Sequence, residues 1–337
     1  MSGSRLHERL ASGPVLCAEG YLFELERRGY LQAGAYVPEV VVERPDVVAA
    51  LHREFVAAGS DVVEAFTYYG HREKLRLIGK EDLLEPLNRG ALAVAGQVAA
   101  ETGALLAGNV CNTNVWGEDA ASRRAARAMF EEQTSWAADA GVDFVIAETF
   151  QYGGEALAAL EAIRAEGLDA VVTVAIHREP VTREGWAPEE ACRRLADAGA
   201  AVVGLNCIRG PRTMLPLLGT VVDAVDVPVA ALPVPYRTHE AEPTFQALDG
   251  GRAFPVALDP HTCDRYEVAE FSRAALDLGV RYLGLCCGAA PHHIRAMAEA
   301  IGRRPPASRF SPDMSKHAYL GSDPSLRAAN LAFAERL

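Results

Sequence analysis

Two cysteine-bearing segments, far apart in the chain, hold the residues best suited to chemistry. Gly204-Leu205-Asn206-Cys207 and Gly284-Leu285-Cys286-Cys287-Gly288 each close an apolar run with thiols at its end. Three thiolates suit zinc, which favours tetrahedral, sulfur-rich coordination, and three protein ligands leave one position open. Electron donation from three thiolates leaves such an ion little power to activate water. An incoming thiol, however, can take the open position and stay ionised at neutral pH. That is the chemistry of alkylating a substrate sulfur. The plainer reading is that all three are buried core cysteines, as isolated Cys17 and Cys192 are taken to be.

For the thiols to meet, strand ends must bring them together. Candidate strands are 14–18, 61–66, 104–110, 143–148, 170–176, 200–206, 227–232 and 281–286. They run nearly unbroken in Val, Ile, Leu and Ala, as parallel strands buried on both faces do. Helical patterns separate them, at 45–58, 83–101, 121–140, 155–166, 187–198, 213–225, 268–278 and 291–301. Several stop at a glycine just before the next strand, among them Gly59, Gly141, Gly199 and Gly279. Eight strand–helix alternations, with no glycine-rich dinucleotide fingerprint after the first strand, predict a (β/α)8 barrel of the TIM type. In that fold, catalytic residues gather at the C-terminal strand ends, so the ends of strands six and eight can share one site. Two adjacent cysteines cannot face one point within a regular strand. Beyond its end the chain can turn, and Gly288 gives it room.

Composition narrows the setting. The chain has 337 residues, 50% hydrophobic and 23% charged, which suits one large globular barrel. A net charge of −12 and the lack of a basic run argue against nucleic acid and against an anionic membrane surface as partners. No signal-peptide pattern and no membrane-spanning apolar run are found. Seven cysteines without a disulfide framework suit a reducing cytoplasm. The segment 236–261, rich in Pro, Gly, His and acidic residues, interrupts the rhythm after strand seven and is expected to wall or cover the site. Residues 1–303 are assigned to the barrel and 304–337 to a C-terminal extension, read either as an arm onto a partner subunit or as a mobile terminus.

These motifs resemble the homocysteine S-methyltransferase family, and within it the betaine–homocysteine methyltransferase branch. The resemblance covers nearly the whole chain. Besides the paired-cysteine motif it rests on segments 34–39, 51–55, 65–69, 146–148, 278–284 and 291–296. The tail segment Met314-Ser315-Lys316-His317 is similar to an extension that helps build the oligomer in animal members, which implies a homo-oligomer. The resemblance implies zinc as cofactor on Cys207, Cys286 and Cys287, with no catalytic side chain beyond the metal site. It further implies homocysteine as acceptor and an onium compound as methyl donor, most simply glycine betaine, giving methionine and dimethylglycine. Another betaine or a sulfonium donor is the alternative within that chemistry. A zinc hydrolase and a non-catalytic zinc- or thiol-binding barrel are the alternatives outside it.

An amino-acid acceptor needs its ammonium paired. Glu148, at the end of strand four, matches the family's acid there, and Glu19 is a second candidate. The family pattern has Asp-Gly at the end of strand one, whereas this chain has Ala18-Glu19-Gly20, one position displaced. An onium donor is held by aromatic faces. Tyr36, Phe66 and Tyr69, with Tyr68, lie in loops able to supply them. Tyr36 stands where the family has tryptophan, Thr149 where betaine-specific relatives have tyrosine, and Leu285 where glycine is usual. Asn109, Asn112 and Asn114 are candidate carboxylate partners or loop-satisfying residues. His292 and His293 are read as helix-start residues or partners of a substrate carboxylate, not as zinc ligands.

Overall fold

The computed structural model describes residues 4–337. Eight parallel strands close into a barrel in sequence order: β1 (Val15–Ala18), β2 (Val62–Glu64), β3 (Leu105–Cys111), β4 (Phe144–Phe150), β5 (Ala170–Val174), β6 (Val202–Asn206), β7 (Val229–Leu232) and β8 (Tyr282–Leu285). β1 and β8 complete the ring, with Cys17 opposite Gly284 and Ala18 opposite Leu285. The expected barrel is therefore present.

Several strands are shorter than the apolar runs suggest, and at β2 a polar residue at the end binds elsewhere. Asp61 leaves β2 to accept from the Leu16 N–H and from Arg9 and Arg303. Beyond β2 the chain turns as the Thr67 N–H bonds the Ala65 carbonyl at 2.7 Å.

The barrel interior is apolar in its lower layers, with Val62, Phe144, Ile146, Val202 and Tyr282 fully or almost fully buried. The short helix Arg5–Ala11, which the sequence pattern does not announce, adds its buried Leu6 to that cluster. Toward the C-terminal strand ends the inward positions become polar: Glu64, Asn109, Glu148 and Asn206 are all at most 5% exposed. This change of polarity within one barrel positions the site.

Helices and caps hold the strands in place. The helix Arg265–Leu278, which delivers β8, begins with an Asp264/Glu267 capping box and ends at Gly279 with φ 104°. Further short helices, Tyr21–Arg27, Val40–Glu43, Arg72–Ile78 and Ala328–Ala334, fall in stretches without a helical expectation. No helix among the described residues is long and apolar enough to cross a membrane.

The segment 236–261 folds onto the barrel through aromatic packing. Phe245 stacks on Tyr236 at 5.9 Å, Phe254 meets Phe245 edge-on at 5.0 Å, and the Phe245 N–H bonds the Ile208 carbonyl at 2.9 Å. It thus packs directly beside Cys207. In the C-terminal extension, Arg295 bonds the Ala307 carbonyl at 3.3 Å, and Ser311 bonds Glu299. Beyond that point Met314, Tyr319, Leu320, Phe333 and Leu337 expose large apolar surface.

Candidate metal centre

Cys207 follows β6 by one residue and Cys286 follows β8 by one. The Cys207 N–H still bonds β7 through the Leu232 carbonyl at 2.8 Å. Two consecutive left-handed residues, Cys207 at φ 56° and Ile208 at φ 60°, then swing the chain out of the ladder. A β-branched residue in that region is strained by about 1 kcal/mol or more, and such strain gathers at functional sites. Thr149, at φ 62°, is a second β-branched outlier beside it.

On the β8 side the Ala289 N–H bonds the Cys286 carbonyl at 3.0 Å, closing a turn over Cys287 and Gly288, with Gly288 at φ 95°. Glycine is the residue that supplies a left-handed third position in a turn without steric cost. Turning there lets both neighbouring thiols face the same point.

The three sulfurs lie within 4.8 Å of one another, and no disulfide joins them. Cys286 Sγ and Cys287 Sγ are 3.9 Å apart. A tetrahedron built on zinc–sulfur bonds of about 2.3 Å has edges of about 3.8 Å, so the spacing fits zinc. Cys207 and Cys286 are 3% and 2% exposed, while Cys287 is half-buried. Hydrogen bonds from Cys286 and Cys287 lower the pKa of the Cys207 thiol, and the same interaction raises that of Cys286.

A carboxylate layer adjoins the sulfurs. Glu148 Oε1 accepts from Asn109 Nδ2 at 2.7 Å, and its Oε2 accepts from Asn206 Nδ2 at 2.8 Å and from the Thr149 hydroxyl at 3.1 Å. Asn206 also receives the Thr149 N–H at 3.0 Å, tying β6 to β4 one residue before Cys207. Burial raises the Glu148 pKa to about 7. Glu19, Glu148 and Cys286 bring ligand-type atoms within 4.8 Å of one another, so the displaced acid of the first strand still reaches the site. Burial, reinforced by the Glu148 and Glu64 charges, raises Glu19 well above the usual carboxyl range.

Glu64 escapes a reading from sequence. It is 2% exposed, accepts from Asn109 Nδ2 at 2.5 Å, and lines the same cavity as Glu19, Glu148, Cys286 and Cys287. Burial and the Glu148 charge raise its pKa too. A lone acid inside an apolar strand was the available signal.

Of the aromatic candidates, Phe66 and Tyr68 line this cavity. Tyr69 is set apart: it packs against Tyr68 at 4.4 Å, and Lys74 Nζ sits 3.8 Å over its ring, occupying that face with the chain's own cation. Tyr36 is 9% exposed and contacts Phe23 at 5.6 Å; burial raises its hydroxyl pKa to about 12. The phenyl ring of Phe23 also meets Phe245 of the folded insertion at 6.2 Å.

Asn112 donates to Asn114, and Cys111 accepts from the Tyr69 N–H. His293 accepts from the Ala290 N–H at Nδ1, which leaves Nε2 protonated and donating to the Cys263 carbonyl at 3.1 Å. It is a helix-start residue, as expected.

The chain matches the family model described as homocysteine S-methyltransferase over residues 20–301. It is 36% identical over 327 residues to betaine–homocysteine S-methyltransferase 1 of Rattus norvegicus, covering 94% of this chain and 78% of that protein. Identity to the S-methylmethionine–homocysteine S-methyltransferase of Pongo abelii is 34% over 319 residues, covering 94% and 85%. The metallated form of the homocysteine methyltransferase MmuM from Escherichia coli superposes with a TM-score of 0.70 at 20% identity, covering 87% of this chain and 99% of that one. That last likeness is one of fold.

Proposed function

The chain belongs to the homocysteine S-methyltransferase family, and from that premise we propose that it methylates the thiol of homocysteine from an onium donor, with zinc held by Cys207, Cys286 and Cys287. The observation that carries this reading is the convergence of three sulfurs from β6 and β8 within 4.8 Å, at a spacing that suits tetrahedral zinc. When bound, zinc supplies the Lewis acidity that keeps a substrate sulfur as thiolate at neutral pH.

The chain's own residues bind and orient. Glu148, fixed from both sides by Asn109 and Asn206, is the acid that pairs the acceptor ammonium, and Glu19 supports it. Phe66, Tyr36 and Tyr69 are assigned to the donor side, where aromatic faces attract an onium that has no hydrogen to donate. Lys74 already covers one face of Tyr69, which leaves a donor cation at most the other. In the reaction a sulfur–carbon bond forms as the nitrogen–carbon bond of the donor breaks. The bonding pair leaves on nitrogen, so thiolate and onium charges disappear together. A site of low hydration favours that step, and burial of the cysteines and carboxylates supports it.

Glycine betaine is the donor first proposed, which makes dimethylglycine the second product. Another betaine or a sulfonium such as S-methylmethionine is the rival, and the identity of 34% to the Pongo abelii protein keeps it in the test. Zinc-loaded protein incubated with homocysteine and a panel of labelled donors decides between them. Methionine formed with glycine betaine supports the first reading, and methionine formed only with sulfonium donors replaces it. No transfer from any donor, despite stoichiometric zinc, defeats the proposal.

The same reading sets the enzyme in a reducing cytoplasm, which the seven free cysteines support. It also makes the chain a homo-oligomer whose extension, 304–337, reaches a second copy. The exposed Met314, Tyr319, Leu320 and Phe333 support this. Sedimentation of the full chain against one ending at Ser311 tests it: an unchanged assembly refutes the role of the arm.

A further inference from the structure

We propose that Glu64 and Asn109 complete a seat for a primary ammonium beside the three sulfurs, and so restrict the acceptor to thiols that carry a free amine. The inference rests on the thiol-methylating reading above and names two residues as its specificity determinants.

Glu19, Glu64, Asn109 and Glu148 line one cavity together with Cys286 and Cys287, and no Lys, Arg or His lines it. All four are nearly inaccessible, at 6%, 2%, 5% and 3% exposure. Asn109 spends both amide hydrogens on carboxylates, one on Glu64 at 2.5 Å and one on Glu148 at 2.7 Å. That fixes its orientation and turns its carbonyl into a free acceptor. Asn109 Oδ1 and both carboxylate oxygens of Glu19 are buried without a partner.

A buried acceptor left unsatisfied costs about 1–3 kcal/mol, so a cluster of them calls for a guest that brings donors and positive charge. Size decides which cation. The cavity leaves about 20 Å3 of room for the centre of a water-sized group. A single water needs about 10–15 Å3 by that measure, so the space suits one nitrogen with its hydrogens. A quaternary ammonium, bulkier by three carbons and lacking any N–H, satisfies neither the volume nor the acceptors. Of the two cations in the reaction, the acceptor amine is therefore the one that fits among these carboxylates. Glu64 supplies the third carboxylate around that amine, and Asn109 holds Glu64 and Glu148 in register.

Glu64→Gln tests the assignment, because glutamine keeps an oxygen that can accept from Asn109 while removing the charge. Calorimetric binding to wild type and variant is compared for homocysteine and for gamma-mercaptobutyrate, which lacks only the amine, alongside separate KM values for acceptor and donor. Homocysteine binding is expected to weaken about tenfold or more, with the donor KM and gamma-mercaptobutyrate binding nearly unchanged. An equal loss for both thiols, or no loss for either, overturns the proposal. Should Glu64→Gln fail to fold, Glu64→Asp, which withdraws the charge by one methylene, carries the same comparison. If wild type methylates no thiol, the proposed function fails, while the calorimetric preference for the amine still stands or falls separately.

Discussion

Gly288 lies so close to Tyr236 that a Cβ built on it would meet the phenolic oxygen at 2.3 Å and Cζ at 2.6 Å. The ring cannot retreat, since it is fully buried and stacked on Phe245. Arg27 fastens the arrangement by donating to the Tyr236 hydroxyl at 2.9 Å and to the Gly288 carbonyl at 3.3 Å. Gly288→Ala is thus expected to destabilise the protein by roughly 2–4 kcal/mol, from overlap added to left-handed strain at φ 95°. Because the turn aims Cys287, metal affinity is expected to fall as well. Thermal melting and a competitive chelator titration measure both effects, and a variant that keeps the wild-type melting point and metal affinity contradicts this account.

The barrel was legible because its apolar runs are long and glycines punctuate them, as at Gly279 before β8. The thiol cluster was legible for a different reason: chain order alone sends the ends of β6 and β8 to the same face of a barrel. Glu64 was not legible. When strands are buried on both faces, alternation no longer tells inward from outward, and only the pairing of Glu64 with Ala107 fixes its direction. Lys74 over Tyr69 was hidden too, since loop side chains meet through packing and not through periodicity. The helix Arg5–Ala11 buries only Leu6, too little for an amphipathic pattern.

Each cysteine of the cluster is expected to be needed for metal. Cys207→Ala, Cys286→Ala and Cys287→Ala should lose stoichiometric zinc and methyl transfer together, while circular dichroism keeps the barrel signature. Elemental analysis of purified variants is the measurement. Zinc retained by all three would remove the assignment.

Asn206 is expected to matter although it is assigned no contact with substrate. It donates to Glu148 at 2.8 Å and accepts the buried Thr149 N–H at 3.0 Å. Asn206→Ala leaves the strained Thr149 amide without its partner, a cost of about 1–3 kcal/mol, and leaves Glu148 Oε2 with the Thr149 hydroxyl alone. The melting temperature should fall, and the acceptor KM should rise more than the donor KM. Equal changes in both KM values would indicate general loosening instead.

His293 provides the pH prediction. Burial lowers the pKa of its ring from the ordinary 6.5 to about 3, so it stays neutral in the folded protein. Its contribution to stability is complete above about pH 6.5 and is lost as pH falls, because the unfolded chain takes up a proton that the folded one refuses. The loss runs at about 1.4 kcal/mol per pH unit until the folded ring itself charges. Glu148, with its pKa raised to about 7, acts in the opposite sense: its contribution is complete below the ordinary carboxyl range and fades as pH rises to about 7. Comparing wild type with His293→Gln at each pH cancels the carboxyl term, which both proteins share. Glutamine can accept from the Ala290 N–H but never charges, so the stability gap between the two proteins should narrow by about 1.4 kcal/mol per unit from pH 6 to pH 4. Urea unfolding across that range measures the gap, and one that stays constant would mean that His293 is protonated in the fold.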